Sequence, residues 1–180
     1  WLQCEWPKLQ VVLSNQTSQW ACAAVSGPSA SALMARLDSD IDFSADAFAH
    51  MQFRSGHLEG VPARVLRASF TGEASYEISV PARYGHALFE RLETVGRPFK
   101  LCPYGVESLM VLRTEKGYLH IGVDTDGTTT PLDLGWGGAL AKKQDDFIGA
   151  RSLQRANDQR QDRLQFVGLQ SIDADQALPL

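Results

Sequence analysis

Apolar and polar positions alternate most cleanly in residues 70–81, which read F-T-G-E-A-S-Y-E-I-S-V-P. After a turn at Thr71 and Gly72, Ser75, Glu77 and Ser79 fall on one side, and Tyr76, Ile78 and Val80 on the other. That is the period of a half-buried strand. β-prone runs at 11–13 and 20–25, separated by S-N-Q-T-S-Q, predict two neighbouring strands, and 51–54 and 61–69, on either side of a turn around 56–60, predict two more. Elsewhere the period changes to that of a helix. Pro28 suits a first helical position ahead of Ala30, Leu33, Met34 and Leu37, with Ile41 and Phe43 as later anchors. Tyr84, Leu88, Leu92 and Val95 form one apolar stripe, closed by Gly96 and Pro98. Residues 104–116 carry Val106, Leu109, Met110, Val111 and Leu112 on most sides, which predicts a buried helix capped by Gly117. Beyond it, 139–143 is strand-like, 147–156 helical, and N-D-Q-R-Q-D-R a linker before a strand-like run at 164–169. The fold class is α+β, with antiparallel sheets and flanking helices.

Composition fits that pattern. The chain has 180 residues, 44% hydrophobic and 21% charged, enough apolar material for a sizeable core. A net charge of -4 without a long basic run leaves no electrostatic footprint for nucleic acid. No stretch approaches the roughly 18 apolar residues of a membrane span. Cys4, Cys22 and Cys102 are scattered and odd in number, which suits a reducing, cytoplasmic setting better than a disulfide framework or a zinc site. The chain starts at Trp1 without an initiator Met and stops in D-A-D-Q-A-L-P-L soon after a fresh strand-like run, so it reads as a piece of a longer polypeptide.

The candidate chemistry centres on two carboxylates. Glu77 on a rigid strand and Glu73 in the preceding turn can accept hydrogen bonds from a nitrogen-rich ligand, or they are two acids of a solvated hairpin. Arg113, at the end of an otherwise apolar helix, either meets such a carboxylate or a bound anion, or lies at a helix C-terminus where cations are favoured. Asp124-Thr125-Asp126-Gly127 lacks the later acids of a calcium loop, and Gly135-Trp136-Gly137-Gly138 lacks the Lys-Ser/Thr of a phosphate cradle. There is no G-x-S-x-G, H-E-x-x-H or C-x-x-C, and His50, His57, His86 and His120 share no ligand spacing.

Three blocks together carry a resemblance. They are F-T-G-E-A-S-Y-E-I-S-V-P, then Y-G-V-E-S-L-M-V-L-R-T-E-K-G-Y, then G-V-D-T-D-G-T-T-T-P-L-D-L-G-W with K-K-Q-D-D-F-I-G-A-R-S-L. Their order and spacing resemble the aminomethyltransferase family, which includes the glycine-cleavage T-protein. W-L-Q-C-E-W-P, Q-W-A-C-A-A-V-S-G-P and R-T-E-K-G-Y with D-T-D-G-T resemble a branch of it, the C-terminal domain of the heterotetrameric sarcosine oxidase alpha subunit. Dimethylglycine oxidases and dehydrogenases carry a similar domain.

The resemblance implies a partial tetrahydrofolate-binding domain over residues 1–160 and the truncated start of a C-terminal β-barrel over 161–180. It implies Glu77, the second Glu of its motif, as a pterin contact, with Glu73 beside it. Phe70 and Tyr76 stand where members place an aromatic near the folate, and Arg113 and Glu115 match an L-R-x-E segment that holds the pocket walls. The implied reaction joins the imine from sarcosine oxidation to tetrahydrofolate, giving 5,10-methylenetetrahydrofolate. Flavin and NAD belong to other domains or subunits of such an enzyme, and the implied partners are those other subunits. The family's catalytic aspartate belongs to a segment upstream of Trp1, so no residue here is assigned a catalytic role and the chain alone is expected to be inactive. One departure stands out: Leu109 replaces an arginine that helps T-proteins bind folate. The alternatives are a degenerate scaffold or subunit-contact domain of the same fold, or the equivalent domain of a dimethylglycine enzyme.

Overall fold

The alternation in residues 70–81 becomes strand β4, Ser75–Pro81, in a computed structural model that describes residues 2–173. Tyr76, Ile78 and Val80 are buried while Glu77 is exposed, so the strand has one packed and one open side. β4 lies inside a four-stranded antiparallel sheet of order β1-β4-β3-β2, with β1 Trp20–Ser26, β2 Phe53–Leu58 and β3 Val61–Leu66. β2 and β3 are joined at Glu59 and Gly60, whose φ values of 52° and 75° are those of a tight hairpin turn that matches the twist of its strands.

The packed face collects Val25, Ala63, Val65 and Leu58 from the other three strands. A short helix, α1, spans Leu2–Glu5, and over the packed face lie Leu33 and Met34 of α2, Ala30–Met34, and Leu88 and Leu92 of α3, Gly85–Gly96, as the helical spacing predicts. Leu37, Ile41, Phe43 and Phe48 from the connection to β2 complete the layer. Each large apolar side chain so buried contributes about 1.5–3 kcal/mol.

Gly56 lies inside β2 rather than at a turn, and the position requires glycine because a Cβ there would run into Asp40 Oδ1 and meet Ile41 Cγ1 at 2.7 Å. That close approach lets Asp40 accept from the His57 backbone N–H at 2.6 Å and lie 3.0 Å from its Nδ1, which covers part of the free edge of β2. These contacts, the backbone one first, hold the Asp40 carboxyl below its ordinary value.

Four sequence expectations need correction. Residues 11–13 form no strand, and Val12 is 91% exposed. Three β-prone residues without a strand to pair with gain no ladder, and among the described residues β1 pairs only with β4. Residues 104–116 do form a helix, α4 Val106–Lys116, but it is not buried: Val106 and Val111 are 69% and 58% exposed, and Arg113 is its one buried residue. An apolar surface predicts burial only where another element reaches it. The strand-like stretch at 139–143 is instead the short helix α5, Gly137–Ala141, whose Ala and Leu suit a helix when no strand is alongside. The helix expected at 147–156 is reduced to turns, with one tight turn at Ser152–Gln154.

The chain divides into two compact units, Trp1–Tyr118 and Leu119–Leu180. The second unit is loop-rich and organised by one buried ion pair. Arg163 donates to both oxygens of Asp133, at 2.7 and 2.6 Å, and to the Thr128 carbonyl at 2.7 Å, while Asp133 also accepts from the Thr130 backbone N–H at 2.7 Å. The Arg163 guanidinium holds the Asp133 carboxyl well below the usual carboxylate range, outweighing the opposing effect of burial. The strand-like run at 164–169 is irregular, and Phe166 donates its N–H to the Asp133 carbonyl at 2.8 Å. Of the stretch expected to open a β-barrel, 174–180 lies outside the described residues. No helix among the described residues is long and apolar enough to cross a membrane.

Candidate functional site

The open face of the first unit's sheet can be read off its register. Arg64 of β3 pairs with Ser79 of β4, which pairs with Cys22 of β1, and Ser55 of β2 completes that row. The next row toward the Ser75 end is Phe53, Leu66, Glu77 and Ala24. Small side chains dominate the β1 and β4 columns, so Glu77 rises from a shallow floor. Its strand is held by ladders on both sides, and among the described residues its carboxylate makes no hydrogen bond or ion pair. A rigidly mounted carboxylate of this kind can accept two parallel hydrogen bonds from a donor pair.

The same face is bounded at one end by hydroxyls. Ser26 and Ser75 share a hydrogen bond of 2.7 Å, and the Tyr104 hydroxyl donates to Ser26 Oγ at 3.4 Å. A cleft of about 620 Å³ runs beside β1, lined in part by Leu33, Leu92, Leu101, Tyr104 and Leu109. Leu109 thus belongs to a largely apolar wall.

At a second place the turn that carries Phe70 and Glu73 comes against the end of α4, which carries Arg113. Gly72, with φ 86°, lies so near the helix that a Cβ would meet Lys116 Cδ at 2.5 Å, and Phe70 stacks on Tyr118 with ring centroids 6.3 Å apart. Gly117, with φ 76°, ends α4; the Tyr118 N–H donates to the Arg113 carbonyl at 2.8 Å and the Gly117 N–H to that of Thr114 at 2.9 Å. The Arg113 side chain, 8% exposed, folds back over this cap and donates to the Tyr118 carbonyl at 3.2 Å. Glu73 is exposed on the turn, as is Glu115 on the helix.

Tyr76 is elsewhere. It is fully buried, edge-on to Phe43 and Phe48 at 5.7 and 5.8 Å, with its hydroxyl 2.9 Å from Ser31 Oγ. It presents no surface to a ligand, which corrects its place among the folate-facing residues: in β4 an even position faces the core. The sequence reading also passed over Arg64 and Trp20. Their signal is the same two-residue alternation, but only the register shows that the two columns share a face with Glu77.

The comparisons with known proteins agree with one another. The GCVT N-terminal domain model matches residues 1–144. The chain is 42% identical over 175 residues to sarcosine oxidase subunit alpha of Corynebacterium sp. (strain U-96), covering 97% of this chain but 18% of that protein. It is 32% identical over 151 residues to the aminomethyltransferase of Chloroherpeton thalassium, covering 83% of this chain and 40% of the relative. Mitochondrial dimethylglycine dehydrogenase of Mus musculus is 30% identical over 146 residues, 81% of this chain and 17% of the relative. The chain therefore spans less than half of each of these proteins. With its antiparallel sheet, flanking helices and three motif blocks in order, the chain belongs to the GCVT N-terminal domain family, the aminomethyltransferase type.

Proposed function

We propose that this chain is the tetrahydrofolate-binding, aminomethyltransferase-type part of a sarcosine oxidase alpha subunit, working together with the other subunits. The observation that carries the reading is Glu77, an exposed carboxylate on an interior strand with no competing partner among the described residues. The chemistry fits the ligand: the amino group and ring N–H of a pterin form a donor pair that a carboxylate accepts in bidentate fashion. Bound tetrahydrofolate would supply the nitrogen nucleophile that takes up the one-carbon unit of the imine formed from sarcosine, the imine's amine leaving as glycine and ring closure giving 5,10-methylenetetrahydrofolate. Glu77 orients the pterin; the ladders on both sides of β4 hold it in place, so the contribution of this chain is positioning. Phe70, stacked on Tyr118, and Glu73 on the same turn are a second candidate contact for the ligand. The proton-moving aspartate is expected from the segment of the parent upstream of Trp1.

A second reading, a scaffold or subunit-contact domain without folate, draws its support from Leu109, which offers an apolar surface where a T-protein offers a guanidinium. Calorimetric titration with a stable reduced folate, beside Glu77→Gln, separates the two. Saturable binding weakened about tenfold or more by the substitution supports the pterin at Glu77. Binding indifferent to the substitution removes Glu77 from the site, and absence of binding both here and in a chain extended upstream of Trp1 leaves the scaffold.

A further inference from the structure

The open sheet face carries a second charged group that the folate reading does not use. Arg64 projects from β3 and Trp20 from β1, the two strands that flank β4, and they meet above it with the guanidinium carbon 3.9 Å from the indole centroid. Arg64 is exposed, and among the described residues its N–H groups make no hydrogen bond or ion pair. This contrasts with Arg54, Arg91 and Arg163, each engaged by carbonyls or carboxylates. Stacking on an aromatic face restrains a guanidinium while leaving its N–H edge free, the state in which it grips a carboxylate with two parallel bonds. The acid at the neighbouring edge, Asp40, is already engaged by His57.

Arg64 and Glu77 are diagonal neighbours across the β3–β4 ladder, with Cα atoms about 7–8 Å apart. They form no ion pair with each other. One face therefore offers a fixed acceptor and, diagonally across on the neighbouring strand, a fixed cationic fork. A ligand with paired N–H donors at one end and a carboxylate at the other satisfies both. A reduced folate has these two ends, joined through rotatable bonds that let the glutamyl tail bend back over β4. We propose that Arg64, laid on Trp20, is the subsite for the tail carboxylates of a reduced folate whose pterin end is held at Glu77. The inference rests on the folate reading above and adds a residue and a part of the ligand to it.

The test compares folinate with its pteroate analogue, which lacks the glutamate, by calorimetry on the 180-residue chain. Arg64→Ala is expected to weaken folinate on the order of tenfold and to leave the pteroate analogue within about twofold. Glu77→Gln is expected to weaken both. Arg64→Lys, which keeps the charge and loses the fork, should fall between wild type and Arg64→Ala for folinate. Thermal melts of the Arg64 variants, matching wild type, confirm that the fold is kept. If Arg64→Ala affects the two ligands equally, or neither, the tail subsite is overturned while the pterin site stands. If wild type binds neither ligand, in this chain and in one extended upstream of Trp1, the folate reading fails and the subsite with it.

Discussion

Tyr76 and Glu77 are adjacent in the chain and opposite in surroundings, and the difference fixes what each substitution should do. Tyr76→Phe keeps the ring among Phe43 and Phe48 but removes the hydroxyl facing Ser31, and should cost about 1 kcal/mol in denaturant unfolding. Because that ring faces the core, the same variant should leave reduced-folate affinity unchanged. Gly72→Ala acts through the other candidate corner. It forces a side chain onto a φ of 86° and into Lys116, so it should destabilise the chain by roughly 1–2 kcal/mol and loosen Phe70 from Tyr118. A lowered melting temperature together with changed tyrosine fluorescence would register both effects. The alternation of residues 70–81 was enough to separate Glu77 from the core. It was not enough to find Arg64 and Trp20, whose meeting depends on pairing between distant segments.

At the scale of elements, legibility followed the availability of partners. β4 and α3 were readable because their apolar stripes meet a core, with Leu88 and Leu92 at 8% and 4% exposure. Residues 11–13 and α4 have equally apolar sequences, yet local pattern carries no information about whether a neighbour is present to cover them. In the second unit, the element that matters is an ion pair that no motif announced. Asp133 and Arg163 are 30 residues apart, with side chains 7% and 15% exposed, and they tie the loop at 128–133 to the segment that follows 157. Asp133→Asn removes the carboxylate that grips the Arg163 guanidinium at two points and leaves it only Asp158, 3.6 Å away, so it should destabilise this unit. The pH dependence follows from the lowered carboxyl. Its stabilising contribution is complete above about pH 5 and declines as pH falls below the ordinary value near 3.8 toward the lowered one. Denaturant titrations at neutral and acid pH should therefore show the gap between wild type and Asp133→Asn narrowing in acid.

For the whole molecule, the family and the α+β class were readable from three motif blocks, whereas the division at Tyr118 and Leu119 was not. The exposed apolar side chains of α4, among them Val106 and Val111, have a consequence at this scale. Sedimentation velocity should show association that grows with protein concentration and weakens when Val111 is replaced by Glu. A net charge of -4 opposes that association only weakly, and least at high salt.

The order of the strands also bears on how the sheet is assembled. β2 and β3 are joined by a two-residue turn and β4 follows soon after, but β1 reaches β4 only by closing a loop between Ser26 and Ser75, 49 positions apart. Loop closure costs entropy before any ladder bond offsets it, so β1 is expected to dock last, onto a three-stranded sheet that already carries Glu77. In pulse-labelling during refolding, amides of β3 and β4 should gain protection ahead of those of β1. The carboxylate is thus mounted early, and Trp20, arriving with the last strand, completes the aromatic seat of Arg64 only when the sheet is finished.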